Sequence, residues 1–193
     1  VTSKGSPIPP PPGARINVVG TCGSGKTTVA KTLAGLLGVP HVELDALFWR
    51  SGWGEATDPE LRAAVSEAAA RDAWVIDGNY SRVRDLIWPR ADTIVWLDYS
   101  FLRVFSRLLA RTIRRAVLRE PLWHGNRESL RTSFLSRESI LLWAVKTHRR
   151  RRRQYRALLL DPAGRHPKVI RLRSSREAER WLRRIAATDM TLP

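Results

Sequence analysis

"VVGTCGSGKTT", Val18 to Thr28, packs three glycines, a lysine and three threonines between two segments of opposite character. Upstream, "RINVV" (Arg15 to Val19) is a short β-rich run. Downstream, "KTTVAKTLAGLLG" sets Val29, Ala30, Leu33, Leu36 and Leu37 at helical spacing, and Gly38 followed by Pro40 predicts where that helix stops. A strand, a glycine loop and a helix therefore follow one another within about two dozen residues.

Gly20-Thr21-Cys22-Gly23-Ser24-Gly25-Lys26-Thr27 fits the pattern G-x-x-x-x-G-K-[ST] in the context the pattern requires. Glycines let successive main-chain N–H groups turn inward without side-chain collision, and the helix start adds about half a positive charge, so the segment from Gly20 to Thr28 is expected to cradle phosphates. Lys26 is placed to reach the β- and γ-phosphates, and the Thr27 hydroxyl to ligate Mg²⁺, which makes ATP and Mg²⁺ the expected cofactors. Cys22 lies inside the loop, where it reads as a small loop residue or as a redox-sensitive one.

Outward from the loop, the chain alternates strands with helices. "HVEL" (His41 to Leu44), "AWVID" (Ala73 to Asp77), "DTIVWLD" (Asp92 to Asp98) and "KVIRL" (Lys168 to Leu172) read as strands, and two of them are near-continuous apolar runs of the kind buried on both faces of a parallel sheet. "DPELRAAVSEAAAR" is expected to be a helix with Asp58 as its N-cap and Pro59 at its first position. Ser174 with Glu177 forms a capping box for a last helix through Trp181 and Leu182. The expectation is an α/β, three-layer fold with about five parallel strands.

The division expected is a disordered proline-rich tail over 1–14, one domain over 15–187 and a short tail over 188–193, in a chain of 193 residues that can bury one good core. Between Phe101 and Leu160 the alternation gives way to two long helical patterns around "EPLWHGN", read as a helical lid inserted on the sheet. That segment holds 16 Lys and Arg against three acids, out of a whole-chain net charge of +16. Such an excess points to an anionic partner, the phosphates of a nucleotide or a nucleic-acid backbone. Arg103, Arg107, Arg111, Arg115 and Arg119 recur every fourth residue and form a stripe, with Phe105, Leu108, Leu109, Ile113 and Val117 covering much of the other side. Arg149 to Arg153 are five successive helical positions and point around the whole circumference.

Other classes are disfavoured. The single cysteine rules out an intrachain disulfide framework and fits a reducing compartment, so the protein is expected to be cytoplasmic. No apolar run approaches the roughly 20 residues of a membrane span. His41, His124, His148 and His166 show no metal-ligand spacing. Seven of the eight tryptophans, among them Trp49, Trp53 and Trp143, read as core or pocket walls. A monomer and a dimer are equally compatible with the sequence.

"GTCGSGKTTVAKTLAGLLGVPHVELDALFW" and "WVIDGNYSRVRDLIWPRADTIVWLD" together resemble the adenylate-kinase-like P-loop kinases, and most closely the subgroup known as DNA topology-modulation protein FlaR-like. The resemblance spans about Arg15 to Leu182 and implies ATP-dependent phosphoryl transfer to a small-molecule acceptor. It implies that Asp77 holds Mg²⁺ through water, with Asp98 as the competing acid or as a cap of the long helix. It implies that the acceptor lies between "ELDALFW" and "DGNY", touching Asp45, Trp49, Asn79, Tyr80 and Arg82, with Asp45 orienting an acceptor hydroxyl or capping a turn. Asn79 and Tyr80 replace the Phe-Pro of the family's "DGFPR", and Arg82 lies one position beyond its arginine, which departs from AMP specificity. Lys26, Arg107 and Arg111 are the residues expected to neutralise the transferring phosphoryl group. A nucleic-acid-binding ATPase using the basic segment is the alternative.

Overall fold

The computed structural model describes residues 13–118, 120–126, 140–160 and 167–189. Five strands, β1 (Arg15–Gly20), β2 (His41–Glu43), β3 (Trp74–Asp77), β4 (Thr93–Leu97) and β5 (Lys168–Leu172), form one sheet in the order β2-β3-β1-β4-β5. Every pairing is parallel. The helices are α1 (Lys26–Leu37), α2 (Leu44–Phe48), α3 (Asp58–Ala69), α4 (Arg84–Ile87), α5 (Phe101–Leu118), α6 (Ile140–Leu159) and α7 (Ser175–Asp189).

The apolar strands feed two cores because successive side chains point to opposite faces. Ile16 and Val18 of β1, Val75 of β3, and Val95 and Leu97 of β4 pack with Val29 and Leu33 of α1 and Trp181 and Ile185 of α7. Their neighbours Trp74 and Ile76 turn the other way, onto Leu61 and Val65 of α3 and Ile87 of α4. Val19, Ile94 and Trp96 meet Tyr155 and Leu159 of α6 on that second face. This is the expected three-layer α/β arrangement, a P-loop NTPase fold. Among the described residues no helix is long and apolar enough to cross a membrane.

Several local expectations change. The tail from residue 1 lies outside the described residues up to residue 12, but its last two residues join the domain: Trp74 N–H donates to Ala14 O at 3.0 Å, and Gly13 N–H to Thr93 Oγ1 at 3.0 Å. Thr57, not Asp58, caps α3, through a reciprocal box with Glu60, because a cap precedes the first helical residue and Asp58 is already helical. β2 ends at Glu43, so Asp45 sits in the first turn of α2 rather than closing the strand. Ile113 and Val117, on the far half of α5, are 44% and 63% exposed rather than covered. Trp53 is likewise exposed, whereas Trp74, Trp96 and Trp181 are core; the Trp143 side chain and Arg119 lie outside the described residues.

Candidate functional site

In parallel sheets, ligands sit at the carboxyl ends of the strands. Here β1 delivers the glycine loop at Gly20, β2 delivers Glu43 and Asp45, β3 delivers Asp77 to Tyr80, and β4 delivers Asp98. The loop turns through Gly23 (φ +84°) and Gly25 (φ +87°), left-handed values that glycine adopts without steric cost. Ser24 N–H closes a turn on Thr21 O at 3.1 Å. Gly25 then caps α1 with no side-chain acceptor, and no acid stands in the first turn, so the helix start keeps its partial positive charge for an incoming anion.

Helix α5 closes on this loop. A Cβ on Gly23 would lie 2.7 Å from Val104 O and 2.9 Å from Leu108 Cβ, so only glycine allows the approach. The stripe's middle members face the loop: Arg107 Nη1 lies 3.7 Å from a Cβ built on Gly25, and Arg111 Nη2 donates to Cys22 Sγ at 3.6 Å. Arg103 instead donates to Ser175 Oγ at 2.9 Å, away from the loop. Arg111 Nε and Ser24 Oγ are both buried and lack a hydrogen-bond partner among the described residues. Two orphaned polar atoms beside a ring of glycines fit a bound polyanion, since buried polar groups are ordinarily paired.

The second cluster surrounds Thr27. Its hydroxyl lies 3.2 Å from Asp77 Oδ1 and 3.3 Å from Glu43 Oε1. The other Asp77 oxygen accepts from His41 Nε2–H at 2.7 Å, which fixes the carboxylate, itself 2% exposed. Of the two competing aspartates, Asp77 is the one beside the threonine hydroxyl. Asp98 neither caps α5, which starts at Phe101, nor faces the loop: it is locked into Arg152, at 2.5 Å, and Arg171. Among the described residues no group of three or more His, Cys, Asp or Glu is arranged to hold a metal. A hydroxyl and an indirect carboxylate are nonetheless what Mg²⁺ uses when phosphates and waters complete its octahedron.

The sequence assigns Glu43 no role and reads His41 only as lacking metal-ligand spacing. The only signal was their period-two spacing on a short strand; the register that sets Glu43 opposite Asp77 is a tertiary fact.

The third cluster lies beyond α2. Tyr80 O–H donates to Asp45 Oδ1 at 2.7 Å, and burial, reinforced by that carboxylate, pushes the phenol's pKa well above its usual value, so it stays a donor. Phe48 packs on the Tyr80 ring at 4.9 Å, and Trp49 and Trp53 continue the row edgewise, with ring centroids 4.9 and 5.4 Å apart. Arg82 lies over Phe48 and pairs with Asp58 at 2.7 Å, at the exposed rim. The Asn79 side chain reaches back to the start of the glycine loop. Its amide is engaged by Gly20, whose N–H donates to Oδ1 at 3.1 Å and whose carbonyl accepts from Nδ2, and by Tyr155 O–H at 3.0 Å. The link "EPLWHGN" ends on this third cluster, where Asn126 accepts from Trp53 N–H at 3.0 Å and donates to Arg50 O at 2.8 Å.

The arginine run divides by direction. Arg149, Arg150 and Arg153 are exposed, whereas Arg152 turns to Asp98. Arg151 turns inward; its burial lowers the guanidinium pKa, in electrostatic reach of Tyr155, Cys22 and Tyr80.

Residues 16–98 match the family described as "ATPase family associated with various cellular activities (AAA)", a span from the start of β1 through the loop to Asp98. A curated protein of Thermococcus onnurineus (strain NA1), described as a "putative adenylate kinase", is 33% identical over 106 residues. That match covers 51% of this chain and 53% of the relative, so the chain spans about half the length of the curated relative it matches. Among solved structures, shikimate kinase from Bacteroides thetaiotaomicron aligns with a TM-score of 0.51 at 20% identity, over 91% of this chain and 97% of that one. A gluconokinase from Sinorhizobium meliloti 1021 aligns with a TM-score of 0.47 at 23% identity, over 91% and 94%.

Proposed function

We propose that the chain is an ATP-dependent phosphotransferase that moves the γ-phosphoryl group of Mg·ATP to a small hydroxylated acceptor, of nucleotide or nucleoside type. The reading places it with adenylate-kinase-like P-loop kinases and, within them, the FlaR-like subgroup. One observation carries it: the Thr27–Asp77–Glu43 cluster lies at the mouth of an uncapped glycine loop, and a separate polar pair walled by aromatic rings follows the neighbouring strand. The relative described as an adenylate kinase supports the nucleotide half of the reading.

The roles follow from position. Main-chain amides from Gly20 to Thr28 hold the phosphates, and Lys26 sets an ammonium against the terminal ones. Thr27 and Asp77 would hold Mg²⁺, which would supply positive charge to offset that of the terminal phosphates. Glu43 and His41 orient that pair. Arg107 and Arg111 on α5, with Arg151 on α6, supply preorganised positive charge where negative charge grows in the transition state. Asp45, hydrogen-bonded to Tyr80, orients the acceptor hydroxyl and takes its proton, with Trp49 and Arg82 bounding the acceptor's seat. The chemistry is chiefly positioning and electrostatics.

The nucleic-acid reading loses ground because two arginines of the basic segment turn inward, Arg111 to Cys22 and Arg152 to Asp98. Single-turnover incubation with γ-labelled ATP, Mg²⁺ and a panel of nucleosides, nucleoside monophosphates and hydroxylated metabolites tests the proposal. Label is expected on one acceptor class and lost in Asp45→Asn; label on none of them contradicts the reading.

A further inference from the structure

Strand β3 stops at Asp77, and the chain swings away at Gly78, whose φ is +144° and whose N–H donates to Val18 O at 3.2 Å. That is the last main-chain rung between β3 and β1. Two residues further along β1, Gly20 begins the phosphate loop with no β3 backbone beside it. The Asn79 side chain stands there instead. A carboxamide carries the donor and acceptor of a peptide group, and here it makes both bonds to one residue, accepting from Gly20 N–H and donating to Gly20 O. The ladder is thus extended by one rung built from a side chain.

The remaining lone pair of Asn79 Oδ1 accepts the Tyr155 O–H at 3.0 Å. Tyr155 is 4% exposed and belongs to α6, with its ring set against Trp96 of β4. Four residues before it in α6, Arg151 lies in electrostatic reach of Cys22 in the loop, which puts a candidate phosphoryl-contacting cation and the Tyr155 bond on one face of one helix.

We propose that Asn79 and Tyr155 are positioning residues: together they hold the first glycine of the phosphate loop in register and tie its conformation to α6, so that loop and helix respond to the nucleotide as a unit. Neither need touch the nucleotide. An amide–hydroxyl bond in a buried setting couples Gly20 to Tyr155, because the two acceptor positions of the Asn79 oxygen are occupied, one by each partner.

The inference rests on the loop being a triphosphate cradle. Its test measures, on the full chain, calorimetric binding of a non-hydrolysable ATP analogue with Mg²⁺, and hydrogen exchange at α6 with and without that analogue. Absence of binding by the unaltered chain would overturn the function proposed above and this inference with it. With binding present, Asn79→Ala is expected to weaken it about tenfold, or ~1.4 kcal/mol, and Tyr155→Phe about threefold. The double variant should bind no more weakly than Asn79→Ala, because the tyrosine acts through the amide. The analogue should slow exchange across α6 in the unaltered chain and lose that effect in Tyr155→Phe. Equal weakening by Tyr155→Phe in both backgrounds, or undiminished α6 protection in that variant, overturns the inference alone. Should Asn79→Ala unfold at the assay temperature, the exchange readout on Tyr155→Phe decides by itself.

Discussion

Replacing Gly23 by alanine tests how α5 is held over the loop, and Gly25→Ala supplies the control. Both glycines have left-handed φ values, +84° and +87°, so each substitution carries a similar backbone cost of about 1–2 kcal/mol. The steric surroundings differ. A Cβ at Gly25 meets only Arg107 Nη1, at an ordinary 3.7 Å and at the end of a flexible side chain. At Gly23 it would meet Val104 O at 2.7 Å and Leu108 Cβ at 2.9 Å, main-chain and near-main-chain atoms of a helix that must move bodily. Overpacking of that kind adds about 1–3 kcal/mol. Urea denaturation of the two variants should therefore rank Gly23→Ala as the less stable by about 1–3 kcal/mol at unchanged slope. Equal stabilities would refute the close contact between α5 and the loop, and with it the assignment of Arg107 and Arg111 to the phosphate side.

Three further outcomes are expected. Asp98→Ala leaves Arg171 and Arg152 without their shared carboxylate, which is 1% exposed, and should lower stability by about 3–5 kcal/mol in denaturant titration. His148 is held neutral by burial, with Nε2 against Tyr99 O and Nδ1 buried without a partner among the described residues, so its pKa is depressed below 6.5. The unfolded chain then takes up the proton first: the stability this contributes is present above pH 6.5 and declines as pH falls below it, and His148→Gln should flatten the fall in melting temperature between pH 7.5 and 5.5. Thr57→Ala removes the reciprocal cap of α3 and should cost about 1 kcal/mol, whereas Asp58→Ala should cost less by the same melt, since the ion pair of Asp58 with Arg82 is exposed.

The sheet was legible because its strands are apolar runs that end in Gly20, Asp77 and Asp98, and because the glycine motif names its own surroundings. What local sequence cannot express is register and reach. Glu43 joins Thr27 only because β2 pairs with β3 in one alignment, and Asn79 meets Gly20 only because Gly20 lies two residues past the end of the β3 ladder. Asp98 illustrates the same limit: an aspartate at a strand end reads as a metal ligand or a cap, and its true partners, Arg152 and Arg171, are 54 and 73 residues away. Asn17, buried in the central strand, was silent for that reason too; its amide donates to Ile76 O and accepts from the Trp88 indole. The arginine run was ambiguous by helical geometry, and packing alone separates Arg151 and Arg152 from their exposed neighbours.

The account depends most on the loop's grip on a nucleoside triphosphate, and isothermal calorimetry of the full chain with Mg·ATP measures that grip directly. Saturable heat is expected, lost in Lys26→Ala at an unchanged melting temperature. Titration without heat at millimolar nucleotide, or equal heat from Lys26→Ala, would contradict it.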